Sequence, residues 1–147
     1  MENLTITLFE PCHIGELAEI EREAFSTPFK EKDFSDIYES EISNVLVATY
    51  QGEVVGYVSF TIIIDECQII NFATKNKFKR QGVGKSVMSA LIEYGKSKGV
   101  CKVFLEVRES NAPAIALYES YGFVPVGVSK NHFTSPRENA ILMNLEF

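Results

Sequence analysis

The alternation of apolar and polar residues divides the chain into short strands and amphipathic helices. Period-two stretches, in which successive side chains point to opposite faces, predict seven β-strands. They cover residues 4–8, 44–50, 53–64, 67–74, 101–107, 124–129 and 140–146. Proline or glycine marks the turns between them, as at Pro11 and Gly52.

Apolar residues spaced three and four positions apart predict four helices between the strands. They cover residues 14–25, 34–42, 83–98 and 111–121. Asn111 is a suitable N-cap for the last helix, with Pro113 in its first turn, and Gly99 ends the third. The element order predicts an α/β (α+β) fold with about four helices around a mixed, mostly antiparallel sheet of six or seven strands. Residues 67–107 are expected to form a strand–helix–strand unit with parallel strands.

Length and composition indicate one globular domain over residues 1–147. The first residues lack the basic start and apolar stretch of a signal peptide, and the longest apolar run, residues 58–64, is too short to cross a membrane. Three scattered cysteines fit a reducing cytosol better than a disulfide framework. With only two histidines, a metal cluster is not expected. We therefore expect a cytoplasmic protein without a metal.

Charge is distributed unevenly along a chain whose net charge is −6. Residues 1–66 hold 14 acidic and 3 basic side chains, whereas residues 67–147 hold 6 acidic and 11 basic ones. The acidic half disfavours nucleic acid and suits a basic peptide or an amine, although a solvated acidic helix face explains the same count. We expect neither a nucleic-acid partner nor a membrane, and both a monomer and a homodimer are compatible with the sequence.

A basic turn that contains two glycines precedes the third predicted helix. Gly82 and Gly84 let the backbone curl so that several N–H groups point into one concavity, to which the helix adds the positive end of its dipole. Between Cys67 and Ile92 there are five basic residues and no acidic one. Cations at a helix N-terminus are unfavourable by about 0.3–1 kcal/mol each unless an anion lies between them. The turn therefore predicts a phosphate site, although an entry turn that binds nothing has similar features.

Two well-known phosphate motifs are incomplete in this turn. Gly84, Lys85 and Ser86 match the end of a Walker A loop, but Lys79 stands where that loop needs its first glycine. A dinucleotide-binding G-x-G-x-x-G pattern fails at Val87. A nucleotide hydrolase is therefore the weakest of the functional hypotheses.

Residues 79–84, which read Lys-Arg-Gln-Gly-Val-Gly before a helix, resemble motif A of the GCN5-related N-acetyltransferases (GNAT), written Arg/Gln-x-x-Gly-x-Gly/Ala. Residues 105–111 and 114–123 resemble the second half of that fold, and residues 28–34 and 137–141 also fit. Within the family the chain is similar to bacterial RimI-type enzymes, which acetylate the N-terminal alanine of a small-subunit ribosomal protein. The resemblance covers nearly the whole chain. It implies a GNAT fold in which strands four and five splay apart, and acetyl-CoA as co-substrate.

The resemblance also implies how acetyl-CoA is held. Its pyrophosphate would be cradled by the backbone of the basic turn, namely Arg80, Gln81, Gly82, Val83, Gly84 and Lys85. The pantetheine arm would lie between the splayed strands, bonded by the backbone of Phe72, Ala73 and Thr74. Asn111 would contact the arm from the other side, and an N–H aimed at the thioester oxygen would steady the developing oxyanion. From the residues alone, the segment 72–74 is an ordinary strand end.

The catalytic residues that the resemblance implies are Glu106 and Tyr118. Glu106, partly desolvated in an otherwise apolar strand, would take a proton from an ammonium, directly or through water. Tyr118 would protonate the departing thiolate, since the ordinary pKa values of a thiol and a phenol are about 8.5 and 10. Without the resemblance, Glu106 is interpreted as a surface charge and Tyr118 as a core residue at helical spacing.

Three sites depart from the family pattern and leave the acceptor open. Lys79 replaces the usual Arg or Gln, Phe29 replaces a Trp, and residues 132–133, His-Phe, replace a Tyr-Tyr pair near the expected acceptor groove. Our leading hypothesis is an N-acetyltransferase acting on a protein N-terminus. The alternatives are an enzyme for a small amine, such as a polyamine or aminoglycoside, and a CoA-binding module without turnover.

Overall fold

The computed structural model describes residues 1–147 and contains one seven-stranded sheet. Its strands are β1 Thr5–Leu8, β2 Ser43–Tyr50, β3 Glu53–Ile63, β4 Glu66–Thr74, β5 Lys102–Arg108, β6 Val124–Thr134 and β7 Arg137–Glu146. The helices are α1 Ile14–Ala24, α2 Glu31–Glu39, α3 Val83–Ser97 and α4 Ala112–Ser120, with single 3₁₀ turns at Pro11–His13 and Asn76–Phe78. None of the four α-helices combines the length and the apolar character needed to span a bilayer. The predicted order of strands and helices is confirmed.

The bounds of α2 and of the β6–β7 hairpin differ most from the prediction. α2 ends at Glu39, and Ile42, which we expected to be helical, is half exposed beside the sheet, where its carbonyl oxygen accepts a hydrogen bond from Ile62 N. The hairpin of β6 and β7 is longer than predicted, because residues 133 and 134 still pair with β7 beyond an irregularity in β6. Residues 129–132 are polar, so the hydrophobic pattern does not predict this continuation of β6.

The sheet is open in its middle. Its strand order is β1-β2-β3-β4-β5-β7-β6, and every neighbouring pair is antiparallel except β4 and β5. These two strands pair only at their first residues, Glu66 with Lys102, Cys67 with Val103 and Gln68 with Phe104. Beyond Gln68 and Phe104 the strands diverge, so the predicted splay is confirmed and leaves a V-shaped opening between them.

The helices cover both faces of the sheet and hold this opening rigidly. On one face Leu17 of α1 and Phe34 of α2 are fully buried against β2 and β3. On the other face Val87 and Leu91 of α3 belong to a larger core that also includes Tyr118 of α4. Each fully buried side chain of this size stabilises the fold by about 1.5–3 kcal/mol. The sheet is therefore packed on both faces, and the face of β5 that carries Val103, Leu105 and Val107 lies in the larger core.

Candidate active site

The basic turn enters α3 with its backbone donors unpaired. Arg80 and Gly82 have positive φ angles of 64° and 85°, so the chain folds back just before the helix begins at Val83. α3 has no side-chain cap and no acidic residue in its first turn. The first N–H groups of a helix have no partner within it, so this end of α3 is suited to an anion.

A glycine that sequence reasoning missed brings this turn against the sheet. A Cβ atom on Gly56 of β3 would lie 2.7 Å from Val83 Cγ1 and 3.2 Å from the carbonyl oxygen of Ala73. Gly84 in turn faces Phe72, whose ring Cζ would lie 3.4 Å from an added Cβ. The start of α3 therefore packs directly on the end of β4, where the segment predicted to bind pantetheine lies.

The end of β4 is paired on one side only. Phe72, Ala73 and Thr74 pair with β3, while β5 has already diverged on their other side. Just before them the β3–β4 register shifts, since Ser59 is opposite Asn71 and the next β3 residue is opposite Ile69. This bulge adds one residue to β4 at the place where the strands separate, so backbone groups of β4 face the opening.

A cavity of about 620 Å³ occupies the opening between β4 and β5. Its walls come from both strands, the α1–α2 loop, α4 and the β6–β7 hairpin. Four of the predicted site residues line it: Phe72, Glu106, Asn111 and Tyr118. The remaining ones, residues 80–85 with Ala73 and Thr74, do not line this cavity and lie beyond Phe72, on the side of α3.

Glu106 lies on β5, opposite Leu142 of β7, at the mouth of the cavity. Its side chain is 36% exposed, so it is less sheltered than the surrounding apolar strand led us to expect. Its Oε2 lies 2.7 Å from Nε2 of His132, a β6 residue that also lines the cavity. The carboxylate is therefore accessible to a molecule in the cavity and has one ionisable neighbour.

Tyr118 is buried on α4 and lines the inner wall. Its ring lies between Phe72 and Phe123, with centroid distances of 6.0 and 5.6 Å. Burial raises the pKa of Tyr118 above the ordinary phenol value used in the sequence-based comparison with a thiol. Its hydroxyl makes no hydrogen bond within the chain, and no side-chain oxygen without a partner is fully buried, so this hydroxyl faces open space.

Asn111 caps α4, as predicted. Its Oδ1 accepts a hydrogen bond from Ala114 N at 3.3 Å, which satisfies one of the unpaired donors of the first turn. The cap uses the carbonyl oxygen of the side chain, and the amide nitrogen has no partner within the chain. Any contact of Asn111 with a ligand in the cavity therefore falls to that amide group.

Sequence reasoning missed the carboxylate of Glu21. Its position suggested one more residue of the α1 core stripe, yet its side chain is fully buried and ionisable. Oε1 accepts a hydrogen bond from Phe29 N at 2.8 Å, Asn71 Nδ2 donates to both oxygens at 3.2 and 3.0 Å, and the Tyr57 hydroxyl donates to Oε2. Burial is the main cause that raises the pKa of Glu21 to about 7, opposed by the bonds from Phe29 and Asn71.

Arg108 holds the β6–β7 turn at one end of the cavity. Its guanidinium donates to the Pro136 carbonyl oxygen at 2.9 Å and to Glu138 at 3.1 Å, and it lies 4.3 Å from the centroid of the Phe133 ring. Hydrogen bonds from Ser110, with a further contribution from Arg108, lower the pKa of Glu138. The sequence shows no signal for this arrangement, because its members are about thirty residues apart.

The two loops at that end touch each other. The Ser26 hydroxyl, on the α1–α2 loop, donates to the Ser135 carbonyl oxygen, on the β6–β7 turn. Both residues line the cavity. The cavity is therefore bordered at this end by two loops in contact.

Comparison with known proteins agrees with this geometry. The model of the acetyltransferase (GNAT) family matches residues 14–123. The ribosomal protein bS18-alanine N-acetyltransferase of Escherichia coli K12 is 34% identical over 143 residues, 96% of either chain. A Bacillus subtilis protein named putative ribosomal protein bS18-alanine N-acetyltransferase is 34% identical over 131 residues, 88% of this chain and 87% of that relative.

The fold also matches a solved structure. The crystal structure of the Escherichia coli ribosomal-protein-S18-alanine N-acetyltransferase superposes with a TM-score of 0.89 at 34% identity, covering 97% of this chain and 93% of that one. The family and fold implied by the sequence are therefore confirmed. The chain belongs to the acetyltransferase (GNAT) family and is an acetyl-CoA-dependent N-acetyltransferase.

Proposed function

We propose that the chain acetylates the α-amino group at the N-terminus of a protein, with an alanine-starting acceptor of the ribosomal protein bS18 type. The observation that carries this proposal is the 34% identity to the Escherichia coli enzyme of that name over 96% of either chain. An acceptor of this kind, a protein N-terminus, requires a cavity that the end of a chain can enter. The opening between β4 and β5 supplies one of about 620 Å³.

In this proposal acetyl-CoA lies across the end of β4. The N–H groups of residues 80–85 bind the pyrophosphate at the uncapped start of α3. The backbone of Phe72, Ala73 and Thr74 bonds the pantetheine arm, because that side of β4 has no strand partner. Asn111 contacts the arm from α4 through its amide nitrogen, since its Oδ1 caps the helix.

Glu106 is the proton acceptor of the proposed reaction. An N-terminal ammonium must lose a proton before its nitrogen can attack, and Glu106 takes that proton directly or through a water molecule. The nitrogen lone pair then forms the C–N bond at the thioester carbon. The oxygen of the tetrahedral intermediate is held by a backbone N–H at the end of β4.

Tyr118 is the proton donor to the leaving group. The C–S bond breaks, the thiolate takes the phenol proton, and the second proton lost by the nitrogen restores the phenol. Burial raises the pKa of Tyr118, and the same apolar surroundings disfavour a thiolate formed beside it. The pKa values of the phenol and the thiol are therefore both raised, which keeps the proton transfer between them feasible.

The acceptor enters from the end formed by the α1–α2 loop and the β6–β7 hairpin. Phe25, Phe29 and Phe133 supply apolar surface there, and Glu106 lies within the same lining. A small methyl side chain followed by a peptide backbone suits a cavity of this size. Phe29 and His132 stand where related enzymes have other aromatic residues, so this chain contacts its acceptor with side chains that differ from theirs.

The test is an acceptor panel. The protein is incubated with acetyl-CoA and either an alanine-starting basic peptide, the same peptide with a blocked N-terminus, or spermidine, and free thiol is followed. We expect thiol release with the free peptide only, and mass spectrometry should place the acetyl group on its α-nitrogen. Release with spermidine alone would replace the proposal by the small-amine alternative, and release with none of the three by a binding module.

A further inference from the structure

The fully buried carboxylate of Glu21 has no part in the proposed acetyl transfer, yet it contacts two walls of the cavity. Its side chain is 0% exposed and does not line the cavity. Two of its three hydrogen-bonding partners do line it, Phe29 on the α1–α2 loop and Asn71 on β4. The third, Tyr57, is itself fully buried on β3. Glu21 therefore links one loop and two strands from behind the cavity.

The α1–α2 loop has few other attachments. Between Phe25 and Asp33, the backbone N–H of Phe29 is bonded to Glu21, and that of Lys30 is bonded locally to the Asp33 side chain. The loop is also joined to the β6–β7 turn by the contact of Ser26, and the Phe29 ring packs against Phe34 with a centroid distance of 5.8 Å. The backbone of Phe29 in the cavity wall is thus held by Glu21, and its ring by the core.

The other wall residue lies where β4 changes register. Asn71 is opposite Ser59, and its backbone N–H is bonded to the Ser59 hydroxyl at 3.0 Å, just beyond the bulge of β4. Its side-chain amide donates to both oxygens of Glu21. A bulge interrupts the ladder of a strand pair, so the bond to Glu21 is an additional anchor for the Asn71 side chain at this point.

We propose that Glu21 is a positioning residue for the acceptor: by bonding Phe29 and Asn71 at once, it fixes the separation of the two cavity walls that receive the amine. The donor side does not depend on it, because the basic turn and Gly84 approach Phe72 from the opposite face of the sheet. The proposal rests on the proposed function only in that an amine acceptor binds between these walls.

The link is strongest with an ionised carboxylate. Oε2 accepts from both Tyr57 and Asn71, and Oε1 accepts from both Phe29 and Asn71. A proton on Oε1 leaves one lone pair for two donors, and a proton on Oε2 requires the Tyr57 hydroxyl to turn from donor to acceptor. The pKa of Glu21 is raised to about 7, mainly by burial, with the Asp33 carboxylate of α2 raising it further and the Phe29 and Asn71 bonds lowering it. The link is thus strongest above pH 7 and weakens as pH falls below it.

The experiment compares Glu21→Gln with the wild-type protein in steady-state kinetics with acetyl-CoA and an alanine-starting peptide, from below to above pH 7. Gln cannot ionise and mimics the protonated acid. We expect its acceptor KM at high pH to be about tenfold above that of the wild type, the effect of losing one hydrogen bond to a charged group. The ratio of the two KM values should fall towards one as pH drops below 7, with acetyl-CoA KM unchanged throughout.

Tyr57→Phe is the matched control, since it removes one donor and leaves both wall bonds intact. Its acceptor KM at high pH, where the carboxylate is ionised, should match that of the wild type. An equal change of acceptor and acetyl-CoA KM in Glu21→Gln would show a general structural role and overturn the proposal. A KM ratio that stays constant with pH would overturn it as well.

A second measurement does not depend on the acceptor. In Glu21→Ala the Phe29 amide should exchange with solvent at least tenfold faster than in the wild type, while amides of α3 keep their protection. If the peptide is not acetylated but this difference is found, the proposed function fails and the link stands. An unchanged exchange rate of the Phe29 amide would sink the positioning role itself.

Discussion

The cavity has one glutamate behind its wall and one at its mouth, and their surroundings are opposite. Glu21 is fully buried, accepts hydrogen bonds from three residues, and has its pKa raised to about 7 by burial. Glu106 is 36% exposed and has one ionisable neighbour, His132, whose Nε2 lies 2.7 Å from Oε2.

A carboxylate with a pKa of about 7, such as Glu21, is suited to act as a general base, since proton transfer is most efficient when the pKa lies near the working pH. It lacks access, however: both of its oxygens are occupied, and its side chain does not line the cavity. Glu106 has that access. The comparison shows that access and free lone pairs, more than a shifted pKa, separate a group placed for chemistry from one placed to hold the walls.

The largest expected effect is that of Glu106→Gln. A carboxamide cannot take the ammonium proton, so kcat should fall by roughly 10²–10⁴-fold, with acetyl-CoA KM and thermal stability unchanged. Thiol release at saturating substrates measures it, with Glu119→Gln, an exposed residue of α4, as the control. A larger fall of kcat in Glu21→Gln than in Glu106→Gln would contradict the roles assigned to the two glutamates.

Tyr118→Phe tests whether a buried group can still take part in the chemistry. The phenol faces open space, so its removal should lower kcat by about 10²-fold or more and leave acetyl-CoA KM nearly unchanged. Tyr121→Phe is the matched control, because that phenol bonds Ser89 and the Lys85 carbonyl oxygen outside the cavity. Equal turnover in Tyr118→Phe and the wild type would remove Tyr118 from the mechanism.

The raised pKa of Glu21 should make the free energy of unfolding depend on pH. Its pKa is about 7 in the folded chain against an ordinary 4.5, so between these values the folded state holds more protons than the unfolded state. The stability that it contributes is therefore greatest below pH 4.5 and falls by about 3 kcal/mol as pH rises through 7. Urea unfolding of the wild type and Glu21→Gln at both ends of this range measures the change, and all other groups cancel in the difference. A difference that does not vary with pH would contradict the raised pKa.

The smallest expected effect concerns the partner of the exposed glutamate. His132 and Glu106 are both about one-third exposed, so their interaction is screened by water. His132→Phe should change kcat/KM by no more than about fivefold, and less at high salt. His13→Gln, at the only other histidine, is the control. A hundredfold loss of kcat/KM in His132→Phe would show that Glu106 depends on His132 as strongly as the cavity wall depends on Glu21.

The parts of the site that could be predicted are those whose residues are neighbours in sequence. The Asn111 cap depends on Ala114, three residues away, and the basic turn is one contiguous run before α3. Local geometry of this kind follows from residue type alone, so the pattern located both. The order of the strands along the chain followed from the alternation of apolar residues.

The parts that could not be predicted join distant segments. Glu21 meets Tyr57 and Asn71, which are 36 and 50 residues away, and its spacing from Leu17 is that of any core position on a helix. The approach of His132 to Glu106 depends on the irregular stretch of β6, which has no hydrophobic period. Burial of a carboxylate and the shift of its pKa are properties of the assembled layers, and no short window of sequence contains them.

The opening between β4 and β5 also gives the sheet two inner edges besides its outer ones. An exposed edge usually invites a strand of another molecule, with aggregation as the result. Here the two edges converge at Gln68 and Phe104, so a flat strand with side chains on both faces cannot slide in between them. A narrow, flexible molecule that carries amide groups along its length can. The wedge shape that keeps a foreign strand out of the opening therefore also selects the kind of molecule that fills it.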